Sequence, residues 1–183
     1  MMNDPEYIVT DEMGDIVTAA KAALNATTIE FPVLNYQYGF IEELNETLAQ
    51  YESDPSKFNK KFPLIWLAEP FTIVRGLPNL FGKTKPDIFI INATEKTWKA
   101  AERMENNYKP ILFPIYRQLL VEIVKSLAFS HQSVESISHT LTKGYYWGEA
   151  QKAVLNDAVD CLKLGSVELP IHNNQNCTLL KSF

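Results

Sequence analysis

Cysteine is scarce in this chain of 183 residues, with only Cys161 and Cys177. Two thiols cannot build the disulfide framework of a small secreted domain, nor do they supply the closely spaced pairs of a zinc site. They read as an apolar strand residue and a residue of the chain end. Histidine is nearly as rare. His131 and His139 stand eight apart and His172 lies far downstream, whereas zinc ligands usually fall about three to five residues apart. No apolar run approaches the roughly 18 residues of a membrane span. Met1-Met-Asn-Asp-Pro-Glu6 is acidic and polar where an export signal would be basic and then apolar, so the N-x-T sequons at Asn25, Asn45, Asn92 and Asn176 carry no meaning. Positive charge is also in deficit: 17 Lys and Arg against 22 Asp and Glu give a net charge of −5 and a pI near 5.2. That balance excludes broad electrostatic affinity for nucleic acid. The small basic clusters Lys57, Lys60, Lys61 and Lys83, Lys85 read as solvated loops.

What is present is an ordinary globular composition, 46% hydrophobic and 21% charged, in a chain long enough to bury a core without disulfides or metals. The reading is one α+β domain over residues 1–171 and a C-terminal tail over 172–183.

The stretch Gly76-Leu-Pro-Asn-Leu-Phe-Gly-Lys-Thr84 imitates a P-loop and fails as one. Gly76 and Gly82 enclose five residues where G-x-x-x-x-G-K-[ST] has four. No helix follows to aim its N-terminus at phosphates, because Pro86 holds Lys85 extended and Ile88-Phe-Ile-Ile91 reads as a buried strand. Gly76–Lys85 is therefore expected to be a polar loop joining two strands, Phe62–Arg75 and Asp87–Ala93, with a bulge or edge position at Glu69-Pro70. The short connection leaves no room for a helical crossover and predicts antiparallel pairing.

Elsewhere the periodicities are plain. Thr10 or Asp11 caps a helix with Ile16, Ala19, Ala20, Ala23 and Leu24 on one face. Leu34, Tyr36, Tyr38 and Phe40 alternate with polar residues as a strand. Ile41, Leu44, Leu48 and Tyr51 mark a helix ended by Ser53-Asp-Pro-Ser56. The strongest helix is predicted over Lys109–Phe129, with Pro114 imposing a later start or a kink; Glu95–Met104 before it has fair helical propensity and a thin apolar face. Phe129–Lys143 reads as a polar insertion and Tyr145-Tyr-Trp147 as a short strand. Ala158–Ile171 reads as a hairpin turning at Gly165-Ser166, with Leu164 opposite Val167 and Leu162 opposite Leu169. The sum is a mainly antiparallel sheet of about five strands with a long helix and an N-terminal helix packed on it.

No residue combination marks a catalytic, cofactor-binding or metal site. The histidines lack a nucleophile partner, and no serine or cysteine sits in a strand-turn-helix elbow. Glu42, Glu43, Glu46, Glu102 and Glu105 read as solvated helix faces. The aromatic groups Tyr36, Tyr38, Phe40 and Tyr145, Tyr146, Trp147 fit either a core or a protein interface.

Three blocks carry a resemblance: Asn35-Tyr-Gln-Tyr-Gly39, Lys61-Phe-Pro-Leu-Ile-Trp66, and Glu102-Arg-Met-Glu-Asn-Asn-Tyr-Lys-Pro-Ile-Leu-Phe-Pro-Ile-Tyr116. Over residues 10–171 the chain resembles a neck protein of tailed bacteriophages, of the tail-terminator or head-tail connector type. The resemblance implies a structural virion protein whose copies close into a ring joining portal to tail. Its partners would be copies of itself and neighbouring portal, connector or tail-tube proteins, with DNA only as passing cargo, no membrane and no cofactor. It would reside in the virion, and in the host cytoplasm during assembly. It specifies no catalytic residue. The rival class is a cytoplasmic enzyme or small-molecule-binding domain with acids and aromatics in a cleft.

Overall fold

A computed structural model of the chain describes residues 5–27, 34–53, 61–74, 80–129, 137–143, 146–147, 152–153, 158–165 and 167–172. In chain order the elements are α1 (Pro5–Asn25), β1 (Asn35–Phe40), α2 (Ile41–Ser53), β2 (Leu64–Glu69), β3 (Ile73–Val74), β4 (Leu80–Thr84) and β5 (Asp87–Ala93). They continue with α3 (Ala100–Arg103), a π-helical segment (Met104–Leu112), α4 (Phe113–Lys125), β6 (Ser138–Lys143), β7 (Tyr146–Trp147), β8 (Lys152–Ala153), β9 (Val159–Gly165) and β10 (Leu169–His172).

The main sheet runs β1-β2-β5-β9-β6. β2 and β5 pair antiparallel, with Trp66 opposite Phe89, as expected, although β3 and β4 of a second sheet lie between them in the chain. β1 is parallel to β2, because helix α2 intervenes and carries the chain back to the same end of the sheet. The strands β2, β5 and β9 alternate between two apolar layers. Ile65, Leu67, Ile88, Ile90, Leu162 and Leu164 face α1 and α4, while Leu64, Trp66, Phe89, Ile91, Val159 and Cys161 face the α2 residues Leu44 and Leu48. An α+β sandwich of this kind, mostly antiparallel, is what the periodicities imply.

Several boundaries differ from the sequence expectation. Helix α1 begins at Pro5 rather than at Thr10 or Asp11, and Thr10 is buried within it. Its covered stripe is Val9, Met13, Ile16, Val17, Ala20 and Leu24, while Ala19 is exposed. The long helix starts at Ala100 and ends at Lys125, not over Lys109–Phe129. Pro110 and Pro114 cannot donate the bonds of a regular helix. The chain responds by widening: the Phe113 N–H donates to the Tyr108 carbonyl, five residues back, and Pro114 falls in the first turn of α4. The helix stops where Ser126 turns extended and its hydroxyl accepts the N–H groups of Ala128 and Phe129, both at 3.2 Å.

The stretch from Phe62 to Arg75 is not one strand. It splits into β2 and β3 around Pro70. Residues 80–84 of the expected loop are strand β4, which forms a second sheet, β10-β4-β3. Gly82 permits this, since a Cβ there would lie 2.8 Å from the Val74 carbonyl. Residues 75–79 lie outside the described residues, as does most of the expected tail; His172, assigned to that tail, is the last residue of β10. The expected hairpin over Ala158–Ile171 does not form. β9 already has both edges filled, by β5 and β6, so after Gly165 the chain leaves the sheet. Val167, Leu169 and Ile171 are buried in the layer beneath α1 and α4. The expected polar insertion supplies β6, whose alternation is masked because an edge strand tolerates polar residues on both faces.

Candidate functional site

Two places in the fold concentrate polar or exposed chemistry. The first is a buried cluster beneath the π-helical segment. Asp160, fully buried in β9, receives an ion pair from Arg103 Nη1 and a 2.8 Å hydrogen bond from Asn107 Nδ2. Asn107 Oδ1 accepts from Asn92 Nδ2 at 2.7 Å, and Asn107 Nδ2 also reaches the Ala93 carbonyl at 3.1 Å. Arg103 spends further donors on the carbonyls of Trp98 (2.9 Å) and Glu95 (3.1 Å). A buried ion pair of this kind fixes geometry, because its charges are compensated only in one arrangement. It clamps the start of the long helix to the ends of β5 and β9.

Next to it, Tyr108 and Tyr116 reach from the same helix to the β6 chain. The Tyr108 hydroxyl donates to the Thr142 carbonyl at 2.8 Å and the Tyr116 hydroxyl to the Ile137 carbonyl at 3.2 Å. Burial pushes the Tyr108 phenol well above its ordinary range, Asp160 adding to the rise; burial also raises Tyr116. His139 is placed here, its Nδ1 3.2 Å from the Tyr116 hydroxyl and its ring edge-on to Phe113. Burial pushes the Cys161 thiol up to about 12, so it stays protonated and unreactive in the native protein.

The second place is β1, an edge of the main sheet. Tyr36 is half-buried and donates to the Thr10 carbonyl at 3.0 Å; burial first, then the charges of Tyr38, Asp11 and Glu69, raise its phenol far above the usual value. Beyond it Tyr38 is 50% and Phe40 46% exposed. The alternation in the sequence was correct, and the aromatics furthest along the strand face outward rather than into the core. At Phe40 the strand passes directly into α2. Gly39 takes φ +143°, and a Cβ there would sit 2.5 Å from the Glu43 carboxylate. That carboxylate accepts the Phe40 N–H at 3.0 Å, so the helix start is met by its own acid and offers no site for an exogenous anion.

The remaining sequence candidates disperse. Lys83 and Lys85 both pair with Glu168, at 3.4 and 3.0 Å, and the hydrogen bond from Lys85 leads in holding that carboxyl below its usual range. Lys61 is buried, with its ammonium 5.7 Å from the Phe62 ring centre, and is not the solvated loop residue expected. Glu102 accepts the Lys99 N–H at 2.8 Å as a helix cap, and Glu105 pairs with Lys109. Tyr146 and Trp147 form β7, paired with β8. His131, Cys177, Lys57, Lys60 and Tyr145 lie outside the described residues. Among the described residues no three His, Cys, Asp or Glu side chains converge to hold a metal ion, and no helix is long and apolar enough to cross a membrane. Asp160 and its partners went unnoticed in the sequence; the available signal was a lone carboxylate in the apolar run Val159-Asp-Cys-Leu162.

The fold and these two places define an α+β chain with a locked interior and an exposed aromatic edge. No family model, curated protein or solved structure matches it.

Proposed function

We propose that this protein is a structural subunit of a tailed-phage neck, of the tail-terminator or head-tail connector type. Its copies would close into a ring between portal and tail, with the virion as their destination. The observation that carries this reading is the main sheet with two unpaired edges among the described residues, β1 and β6, each presenting exposed apolar side chains: Tyr38 and Phe40 on one, Leu141 on the other. A sheet edge with exposed aromatics and no charge within the strand is a template for association. Different surfaces at the two ends suit the head-to-tail contacts that cyclic symmetry needs. The net charge of −5 suits a conduit that DNA passes without adhering. The polar clusters support a structural role, because their donors are spent on one another and not aimed at a shared cleft. In this reading the chain carries no catalytic centre.

The test is size-exclusion chromatography with light scattering on the purified protein, together with negative-stain imaging. Rings of one defined copy number are expected. A strictly monomeric protein at all accessible concentrations, or turnover of a metabolite abolished by a single polar substitution, overturns the proposal.

A further inference from the structure

The two open edges fit one another. With β2 taken as running up, β1 runs up beside it, β5 down, β9 up and β6 down. The edges therefore point in opposite directions, and a second copy brought alongside by rotation about a ring axis sets its β6 antiparallel to β1. Both strands are six residues long.

The side chains agree as well. Tyr36 and Tyr38 stand beside Ile65 and Leu67, and His139 and Leu141 stand opposite Leu164 and Leu162. All four of those neighbours belong to the layer beneath α1 and α4, so the exposed apolar groups of both edges lie on the same face of the sheet. A pairing that continues this face brings Tyr38 opposite Leu141 of the second copy, Phe40 opposite His139, and Tyr36 opposite the position of Lys143. The edge strands carry no like charges to repel one another: β6 contains no acid, while the acids Asp11, Glu43 and Glu69 lie around an uncharged β1.

We infer that copies of this chain join head to tail by adding β6 of one copy to β1 of the next, in the register that sets Tyr38 against Leu141. The inference rests on the ring reading above and names the contact that would close it.

Disulfide trapping tests it. Directly opposed residues in an antiparallel pair have Cβ atoms about 4.5–5.5 Å apart, close enough for a bridge after small adjustment. In a Cys177→Ser background, with Cys161 buried, Tyr38→Cys combined with Leu141→Cys should give a ladder of covalent multimers under mild oxidation. Gln37→Cys with Leu141→Cys, which sets the thiols on opposite faces, should give at least about tenfold less. Tyr38→Lys should weaken association about tenfold or more without moving the unfolding midpoint. Rings that form but never cross-link through the matched pair overturn this contact and leave the ring reading standing. Covalent dimers from Tyr38→Cys alone show a two-fold β1 to β1 pairing and overturn the head-to-tail contact. A monomer at every concentration overturns the ring reading and the contact with it.

Discussion

The end of the sheet under the π-helical segment and its β1 edge invert each other's chemistry. At the first, charged and amide groups are buried and satisfied: Asp160, Arg103, Asn107 and Asn92 hold one another. At the second, aromatic rings stand in solvent, with Tyr38 and Phe40 about half exposed. Buried charge is tolerated only when its partners are fixed, so the first region ties stability to one geometry. Exposed aromatics contribute little to the fold of a single copy and retain their apolar area for association. Substitutions in the two regions should therefore have opposite phenotypes.

The largest effect is expected from Asp160→Ala. It strands the Arg103 guanidinium in the interior, and loss of one partner of a buried pair costs about 3–5 kcal/mol. Urea unfolding should show it as a lower midpoint; a change below about 1 kcal/mol would mean that the pair is dispensable. Gly39→Ala comes next. Its backbone sits at φ +143° and its Cβ would collide with the Glu43 carboxylate, so a loss of about 1–3 kcal/mol is expected, read from the same unfolding curves. Tyr38→Lys should leave stability within about 0.5 kcal/mol, as for an ordinary surface change, while reducing the assembled fraction in light scattering. A large stability loss there would erase the contrast between the two regions.

Alkaline pH sharpens it from another side. Cys161 has its thiol raised from 9.0 to about 12 by burial, and the unfolded chain would ionise first. Between those two values the native state binds more protons than the unfolded state, so stability is intact below pH 9 and falls as pH rises toward about 12. Cys161→Ala should flatten that decline in a pH series of denaturant midpoints. In the native protein at pH 8, Cys161 should resist iodoacetamide.

The α+β class and the aromatic alternation of β1 were legible because each is written in a local period, and the antiparallel β2·β5 pairing because the segment between the two strands has no room for a crossover helix. What escaped depends on contacts distant in sequence. β6 looked like an insertion because Ser138, Thr140 and Thr142 dilute its pattern and only pairing with β9 makes it a strand. The hairpin over Ala158–Ile171 looked sound because Leu162, Leu164, Val167 and Leu169 are all apolar, yet the same apolarity serves two separate placements. The helix start at Ala100 was hidden because the Glu95–Met104 side chains form almost no apolar stripe; Arg103 holds it down through a carboxylate far along the chain. Of the candidate surface, Tyr38 and Phe40 were visible in the sequence, whereas their exposure follows from β1 lying at the sheet edge.

The position of β9 has a consequence for synthesis. This strand fills the middle of the sheet, between β5 and β6, although it is translated after both of them. Until residue 165 has left the ribosome, Asp87–Ala93 offers an unfilled apolar edge and Ser138–Lys143 has no strand to join. The nascent chain must therefore carry a half-built sheet with an exposed apolar edge from the completion of β5 at Ala93 until β9 is made, up to Gly165.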